Sequence, residues 1–421
     1  MPQAPGLLAG LDVGNHRVVV LIGELGSAGE LVIRGVGTAP SLGVRNGQVV
    51  QLKPVIAAIK AAVEEAELMA KLPVEKVHVS VAGAFLGGRT TRAAIALGGR
   101  EREVACRDVD ALHDALRRQA LPTGHIVLNV ATPTYAVDDQ DGVLDPVGMV
   151  GRHLQIDAYV IASQESPVRT LEKAVNEAGL VVEEFIFSPL AAAQATLTDD
   201  ERRLGAILVD IGFANTTFAA YSSDKLLAAG CFPLGGNKLN DDLVHRFQTT
   251  TAAAERIKCD AGTVLLTDVG EEETLQVATI DGRSHHIIGR REMCKILRIR
   301  MQETFELIGA EVFRQIPPEA PCTGVVLSGG GAHLEGLVAV AEEVFGKRAR
   351  LGETEGVADA THLLNTSEVP SRSLAVAIGL LVHARSTALE IGVPQPRLRR
   401  HRAGWIERLH QRLFTNPGGG S

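Results

Sequence analysis

Two short stretches of this 421-residue chain share one grammar. Asp12-Val13-Gly14-Asn15-His16 follows the apolar run Leu7 to Leu11, and Asp210-Ile211-Gly212 follows the apolar start of "GAILVDIGFANTTFAAYSSDKL", residues 205 to 226. In each, a carboxylate stands at a strand end and a glycine lies in the turn, where backbone N–H groups approach a phosphate without a Cβ in the way. An aspartate so placed suits Mg²⁺ held through water, because that ion prefers oxygen ligands and keeps several of its waters. Taken singly, either stretch also fits a hairpin turn with a solvated aspartate. A third stretch, "VVLSGGGAHLEGL" from 325 to 337, runs from a buried strand through Gly329, Gly330 and Gly331 toward an expected helix. Free N–H groups at a helix N-terminus favour anionic or polar ligands. The spacing is not the dinucleotide fingerprint, whose third glycine is absent, and a tight strand-to-helix turn accounts for it equally well.

The elements that must position these residues follow from periodicity. Leu7 to Leu11 and Val18 to Ile22, split by a Gly/Asn turn, read as a hairpin. The same pattern returns around Asp210, so the chain reads as two related halves. Val55, Ile59 and Val63 recur at helical spacing before Pro73, and Val168, Leu171 and Val175 do so between Pro167 and Gly179. Strand-like runs at Val77 to Val81, Ile126 to Val130, Phe185 to Phe187 and Val325 to Leu327 alternate with these helices. The class is α/β or α+β with mixed sheets. Residues 83–163 interrupt the first half as a strand-helix-strand insert with a helix near Asp108 to Gln119.

Composition narrows the function. Apolar residues make up 45% and charged residues 22%, as in an ordinary globular protein. A formal net charge of −8 argues against nucleic acid as a partner, since phosphate binding is driven by Lys and Arg. The 5 cysteines lie far apart with no zinc-ligand spacing and read as isolated, mostly buried thiols. No basic n-region precedes the first apolar stretch. Leu374 to Val382 falls well short of the roughly 20 residues of a spanning helix, so the body reads as cytosolic.

Asp-x-Gly twice and then a triple-glycine turn is the order found in the actin and sugar-kinase superfamily. The whole chain resembles the FtsA family of bacterial actin-like cell-division proteins from Gly10 to Phe414. The matches include "GVGTAPSLGVRNGQVV" (35 to 50), "AELMA" (66 to 70), "DGVLDPVGMVG" (141 to 151), "LTDDERRLG" (197 to 205), "AERIK" (254 to 258) and "GWIERL" (404 to 409). The resemblance implies an α/β, actin-like (ribonuclease H-like) duplicated two-lobe fold with an inserted small α/β domain and a C-terminal amphipathic helix. The implied parts are lobe 1A at 1–82 and 164–204, the 1C insert at 83–163, lobe 2A at 205–240 and 320–372, and subdomain 2B at 241–319. A return helix at 373–392, a basic linker at 393–403 and an amphipathic helix at 404–415 complete the chain.

By the same resemblance ATP and Mg²⁺ bind between the lobes. Asp12 and Asp210 organise the metal, Gly14 and Asn15 form the first phosphate loop, and Gly212 to Asn215 the second. Glu255 and Lys258 lie beside the adenosine, with Gly329, Gly330 and Gly331 beneath it. Without the family, Glu255 and Lys258 read as a surface ion pair three residues apart on one helix. Two departures point to weak hydrolysis at most. Phe213 and Ala214 replace glycines of the second loop, and Ser188 stands before Pro189 where hydrolytic relatives carry a water-orienting glutamate or glutamine. No residue is assigned as a catalytic base.

Partners follow from the resemblance too. They are the C-terminal tail of the tubulin-like FtsZ, other copies of the chain in filaments, anionic lipid, and later division proteins recruited through the insert. A helix from Arg290 to Val312 partly lines an apolar side with Ile296, Ile299, Met301 and Phe305, and offers Arg300 and Glu303 to the FtsZ tail; a solvated helix face accounts for those two charges equally. In the last segment, Trp405, Ile406, Leu409, Leu413 and Phe414 form one apolar stripe on a helix, with Arg408 and Arg412 facing mainly away. Arg397, Arg399, Arg400 and Arg402 precede it behind a Pro-containing linker. This pattern marks an interfacial helix on anionic lipid at the cytoplasmic face of the inner membrane, against the alternative of a helix docked on its own domain. The expected role is tethering FtsZ filaments at the division site. The rivals are a type IV pilus assembly scaffold of the same fold and a small-molecule kinase.

Overall fold

A computed structural model describes residues 6–121, 123–354, 357 and 371–392. The first half begins with β1 (Leu7–Val13), β2 (Arg17–Leu25) and β3 (Leu31–Pro40), a small ribbon of β4 (Val44–Arg45) and β5 (Gln48–Val49), then α1 (Leu52–Ala70) and β6 (Lys76–Val81). The insert contributes β7 (Leu86–Ala96), β8 (Arg102–Glu103), α2 (Cys106–Ala120), β9 (His125–Val137), β10 (Gln140–Val143), β11 (Val150–Gly151) and β12 (His153–Gln164). The first half resumes with α3 (Glu165–Glu177), β13 (Val181–Phe187), α4 (Ser188–Thr196) and α5 (Asp199–Leu204). The second half holds β14 (Ala206–Ile211), β15 (Thr216–Ser222), β16 (Lys225–Phe232), α6 (Gly236–Phe247), α7 (Thr251–Ala261), β17 (Thr274–Ala278), β18 (His285–Gly289) and α8 (Arg290–Gln315). It continues with β19 (Gly324–Ser328), α9 (Leu337–Phe345) and β20 (Arg348–Leu351), and the last described helix is α10 (Ala375–Gly392).

The duplication expected from the two Asp-x-Gly stretches is a duplication of sheets. One five-stranded sheet has the order β13-β6-β1-β2-β3 and the other β16-β15-β14-β19-β20. In each, three consecutive strands form an antiparallel meander and two later strands add in parallel on the far side of the first. Parallel additions need helical crossovers that cover the sheet faces, which is why β14 reads as an unbroken buried run.

α4 joins the two halves. Phe187 ends β13 and Pro189 sits in the first turn of the helix, where its missing N–H costs nothing. Almost every residue of α4 is buried, as expected of a helix with neighbours all round. Ala191, Ala192 and Ala193 share one apolar cluster with Ile161 of the insert and with Leu208, Ala219 and Val326 of the second sheet. α10 crosses α4 closely, and a Cβ on Gly379 would lie 1.8 Å from the Ala191 carbonyl oxygen. Only glycine permits that approach.

The insert differs from the expected strand-helix-strand unit. It is a four-stranded antiparallel sheet in the order β10-β9-β12-β7, packed on α2. β7, "LGGRTTRAAIA", carries glycines and arginines on its exposed positions, so its apolar alternation is faint in the sequence. The insert also covers β16, the edge strand of the second sheet. Tyr159 Oη accepts the Ala229 N–H at 2.9 Å and reaches Gln315 Oε1 at 2.9 Å, while Thr132 Oγ1 accepts the Leu226 N–H at 3.1 Å. An edge strand left open is a template for unwanted pairing; here two side chains occupy its donors.

Two smaller expectations need correction. Only Cys294 of the five cysteines is buried, and Cys259 is exposed. Ile299 is exposed because it faces away from the buried stripe Leu297, Met301 and Phe305 of α8. Among the described residues no helix is long and apolar enough to cross a membrane.

Tyr159→Phe leaves the Ala229 N–H without its side-chain partner in a buried setting. The expected loss is about 1–3 kcal/mol, read as a lower urea midpoint with an unchanged slope. A midpoint equal to wild type contradicts the account of the covered edge.

Candidate functional site

Each Asp-x-Gly turn is closed by the same bond. Gly14 donates its N–H to the Arg17 carbonyl at 3.0 Å, and Gly212 donates to the Asn215 carbonyl at 2.9 Å. These two N–H groups are therefore spent inside the turns and not offered to a ligand. Each aspartate stands beside a serine from the neighbouring parallel strand. Ser80 Oγ on β6 donates to Asp12 Oδ1 at 2.5 Å, and Ser328 on β19 is in register with Asp210. Thr217 and Cys231 continue that row across the second sheet.

The two carboxylates influence one another. Burial pushes Asp210 up to about 7, and the charge of Asp12 adds to the shift, while the Ser328 hydroxyl opposes it. Burial likewise raises Asp12, against the hydrogen bond from Ser80. A buried carboxylate without a positive partner is costly in its charged form, so Asp210 is not the solvated turn residue of the alternative reading, and the half-buried Asp12 is tied to Ser80. Among the described residues no cluster of three or more His, Cys, Asp or Glu has metal-holding geometry. Two carboxylates with the remaining positions filled by water fit Mg²⁺ and not a fully protein-enclosed ion.

The other expected residues gather around Asp210. Gly329 has φ +84°, and a Cβ there would lie 2.9 Å from Asp210 Oδ1 and 2.5 Å from the Ile211 carbonyl. Gly331 lies against the Ile211 side chain. The triple glycine enters a 3-10 turn, Gly330–His333, and the α-helix starts only at Leu337. The expected helix N-terminus at the glycines is thus absent, because Gly329 and Gly336 both take positive φ and break the helical path. On the other side of the Asp210 turn, Gly236 and Asn237 at the start of α6 donate to the carbonyls of Gly212 and Phe213. Lys258 Nζ reaches the Gly236 carbonyl at 3.2 Å and Glu255 Oε2 at 2.7 Å. The Lys258 side chain is only 11% exposed, which sets this pair apart from a surface ion pair. Burial opposes the charge of Glu255, yet Lys258 and Asn240 hold its carboxyl below the usual range.

Asn15 serves the fold as well as the turn. Its Oδ1 accepts the Gly47 N–H at 2.9 Å and its Nδ2 reaches the Val44 carbonyl, tying the β1–β2 turn to the small ribbon. Asn215 Oδ1, Thr217 Oγ1, Asn237 Oδ1 and Asn240 Oδ1 are buried without a hydrogen-bond partner. Buried polar atoms are rarely left unpaired; Thr217 pairs with Asp210 across the sheet, Asn215 closes the Asp210 turn and Asn237 bonds to Phe213 in it, so this region has the character of a polar ligand site. Of these, only Asn215 was anticipated from the sequence. Ser80 was missed too, although a serine inside the apolar strand "KVHVSV" was a legible signal.

Arg300 and Glu303 lie apart, on α8. The Arg300 guanidinium binds Asp242 of α6 through Nε at 2.6 Å and Nη2 at 2.9 Å, and reaches Glu303 at 3.0 Å. The sequence-based picture of two free charges is thus replaced by a three-member ion-pair network, since helix α6 brings an aspartate within reach. An open groove of about 700 Å³ lies further along these two helices, lined in part by Arg246, Ile280, Ile287 and Glu292. Trp405, Ile406, Arg408, Leu409, Arg412, Leu413 and Phe414 lie outside the described residues.

Known proteins agree with this architecture. A family model described as "Cell division protein FtsA" matches residues 207–379, and one described as "SHS2 domain inserted in FTSA" matches 83–162. Cell division protein FtsA of Pseudomonas aeruginosa is 32% identical over 381 residues, covering 90% of each chain. That of Escherichia coli strain K12 is 31% identical over 416 residues, covering 97% of each. Among solved structures, the PilM-PilN type IV pilus biogenesis complex aligns with a TM-score of 0.63 at 18% identity, over 91% of this chain and 99% of that one. MreB5 of Spiroplasma citri bound to ADP aligns with a TM-score of 0.54 at 12% identity, over 92% and 98%. Those two likenesses speak for the actin-like fold. With the duplicated sheets, the insert and full-length relatives in agreement, the chain belongs to the FtsA family of actin-like cell division proteins.

Proposed function

We propose that this chain binds ATP with Mg²⁺ between its lobes, polymerises on the cytoplasmic face of the bacterial membrane, and tethers FtsZ filaments there. The observation that carries the nucleotide part is the pair of aspartates at the ends of duplicated strands, Asp210 buried and Asp12 half-buried, with unpartnered polar atoms beside Asp210. In this reading Asp12 and Asp210 hold the cation through water. Gly14, Asn15, Gly212 and Asn215 flank the phosphates, Glu255 and Lys258 face the adenosine, and Gly329, Gly330 and Gly331 leave room beneath it. Mg²⁺ held between Asp12 and Asp210 would supply the positive charge that the two carboxylates lack. Ser188, buried at the start of α4, has no carboxyl or amide group to orient water, so turnover is slow.

The membrane and filament parts rest on sequence and family. The stripe from Trp405 to Phe414 with its preceding arginines is that of an interfacial helix, and each basic group near an anionic surface contributes about 1 kcal/mol. One such helix binds modestly; filaments of the body multiply the anchors. We place the FtsZ tail on the α6–α8 face, with Arg300 and Glu303 as its charged contacts. The insert at 83–163 is the surface for later division proteins.

Asp210 gives a pH test. Its folded-state value of about 7 exceeds the ordinary 3.8, so its protonated form favours the fold. That contribution is complete below about pH 4 and is lost as pH rises through about 7. Without Mg²⁺, the melting temperature of wild type should therefore fall relative to Asp210→Asn between about pH 5 and pH 8. Adding Mg²⁺ with ATP should restore it. A constant difference between the two proteins over that interval would contradict the buried-carboxylate assignment.

For the membrane part, the full chain should sediment with anionic liposomes and a chain ending before Gly404 should stay largely in the supernatant. Equal sedimentation of both removes the tail as the anchor.

A further inference from the structure

The turns that carry Asp12 and Asp210 meet through a pair of rings. His16, four residues after Asp12, and Phe213, three after Asp210, have ring centroids 4.9 Å apart with planes inclined by 30°. His16 is exposed and Phe213 half-buried. The backbone beneath each ring is tied to its own lobe. The His16 carbonyl accepts the Ser41 N–H at 2.9 Å, and the Phe213 carbonyl accepts the Asn237 N–H at 2.7 Å. A Cβ on Gly235 would lie 2.5 Å from that same Phe213 carbonyl, so the start of α6 presses on the Phe213 backbone. Neither ring can follow the other if the lobes separate. The lobes also share the core around α4, the insert's bonds to β16 and the Arg350–Glu201 ion pair; the ring pair is a separate contact, placed at the two turns themselves.

We propose that His16 and Phe213 form a clasp between the two turns, so that the cleft opens, and a nucleotide bound there leaves, only when this ring contact breaks. The part concerning nucleotide rests on the reading of the preceding section. Phe213 stands where a loop specialised for phosphate would carry glycine, and the clasp gives that bulky residue a role: close approach to the ligand is exchanged for a lobe-to-lobe contact. Offset and tilted ring pairs contribute modestly beyond the area they bury, which suits a contact that must open repeatedly. Its strength corresponds to a change of about three- to ten-fold in an opening equilibrium.

The full-length chain and the variants Phe213→Leu, His16→Ala, the double variant and His16→Phe decide this in two ways. Hydrogen exchange of the ligand-free proteins reads the clasp without any nucleotide. Either single loss should speed exchange in both turns, residues 12–17 and 210–216, and not only in the altered one. Stopped-flow release of a fluorescent ATP analogue with Mg²⁺ reads its consequence. Each single loss should speed release about three- to ten-fold, the double variant no further, and His16→Phe, which keeps a ring, should release like wild type. The clasp is overturned if exchange changes only in the altered turn, if the two losses multiply, or if His16→Phe releases as fast as His16→Ala. Should wild type itself fail to bind the analogue, the nucleotide reading falls, and the exchange data still decide whether the clasp exists.

Discussion

Two neighbouring carboxylates, Asp210 buried and Asp12 half-buried, with the charge of Asp12 raising the cost of charging Asp210, are the constraint around which this molecule is arranged. Asp12 and Asp210 come from different lobes, so each lobe carries half of an electrostatic demand that a proton on Asp210 relieves in part and that the proposed cation would meet. Ser80 donates to Asp12, and Ser328 stands in register with Asp210 on the equivalent parallel strand, but a hydroxyl brings no positive charge. A site of this kind links ligand binding to lobe closure by charge alone. With the lobes apart, each carboxylate is free to be solvated; with them together, a divalent ion becomes the natural partner of both.

The remainder of the fold keeps that arrangement in register. Small residues on α4 let α10 and the second sheet close upon it, and Gly379 marks the tightest approach. The insert occupies the otherwise open edge of the second sheet through Tyr159 and Thr132. It is consequently not an appendage of the first lobe alone. It bears on β16, whose residue Cys231 lies in the same row as Thr217 and Asp210. Loss of solvent around the half-buried Cys231 pushes its thiol up to about 12, leaving it inert at ordinary pH.

Much of this was legible in the amino-acid sequence. The repeated Asp-x-Gly after an apolar run predicted two equivalent hairpins, because a glycine turn between β-rich runs has few alternatives. The helices around Ile59 and Leu171 were equally plain from their spacing. What escaped notice depended on the third dimension. Thr217, Asn237 and Asn240 look like ordinary polar residues of a strand and a helix, and only packing shows that their oxygens are buried without partners. Arg300 read as a free charge because Asp242 is distant along the chain and meets it only when α6 lies against α8. The triple glycine misled in the opposite sense. Its positive φ at Gly329 serves close approach to Ile211 and Asp210, and a helix cannot start there.

The central claim is that burial lifts Asp210 to about 7, so that a substantial share of it is protonated near neutral pH until a cation arrives. The direct measurement is calorimetry of preformed Mg-ATP binding at about pH 6.5, repeated in buffers of different ionisation enthalpy, for wild type and Asp210→Asn. The account predicts net release of a substantial fraction of one proton by wild type and clearly less by the variant. Equal proton release by the two proteins, or none by wild type, would contradict it.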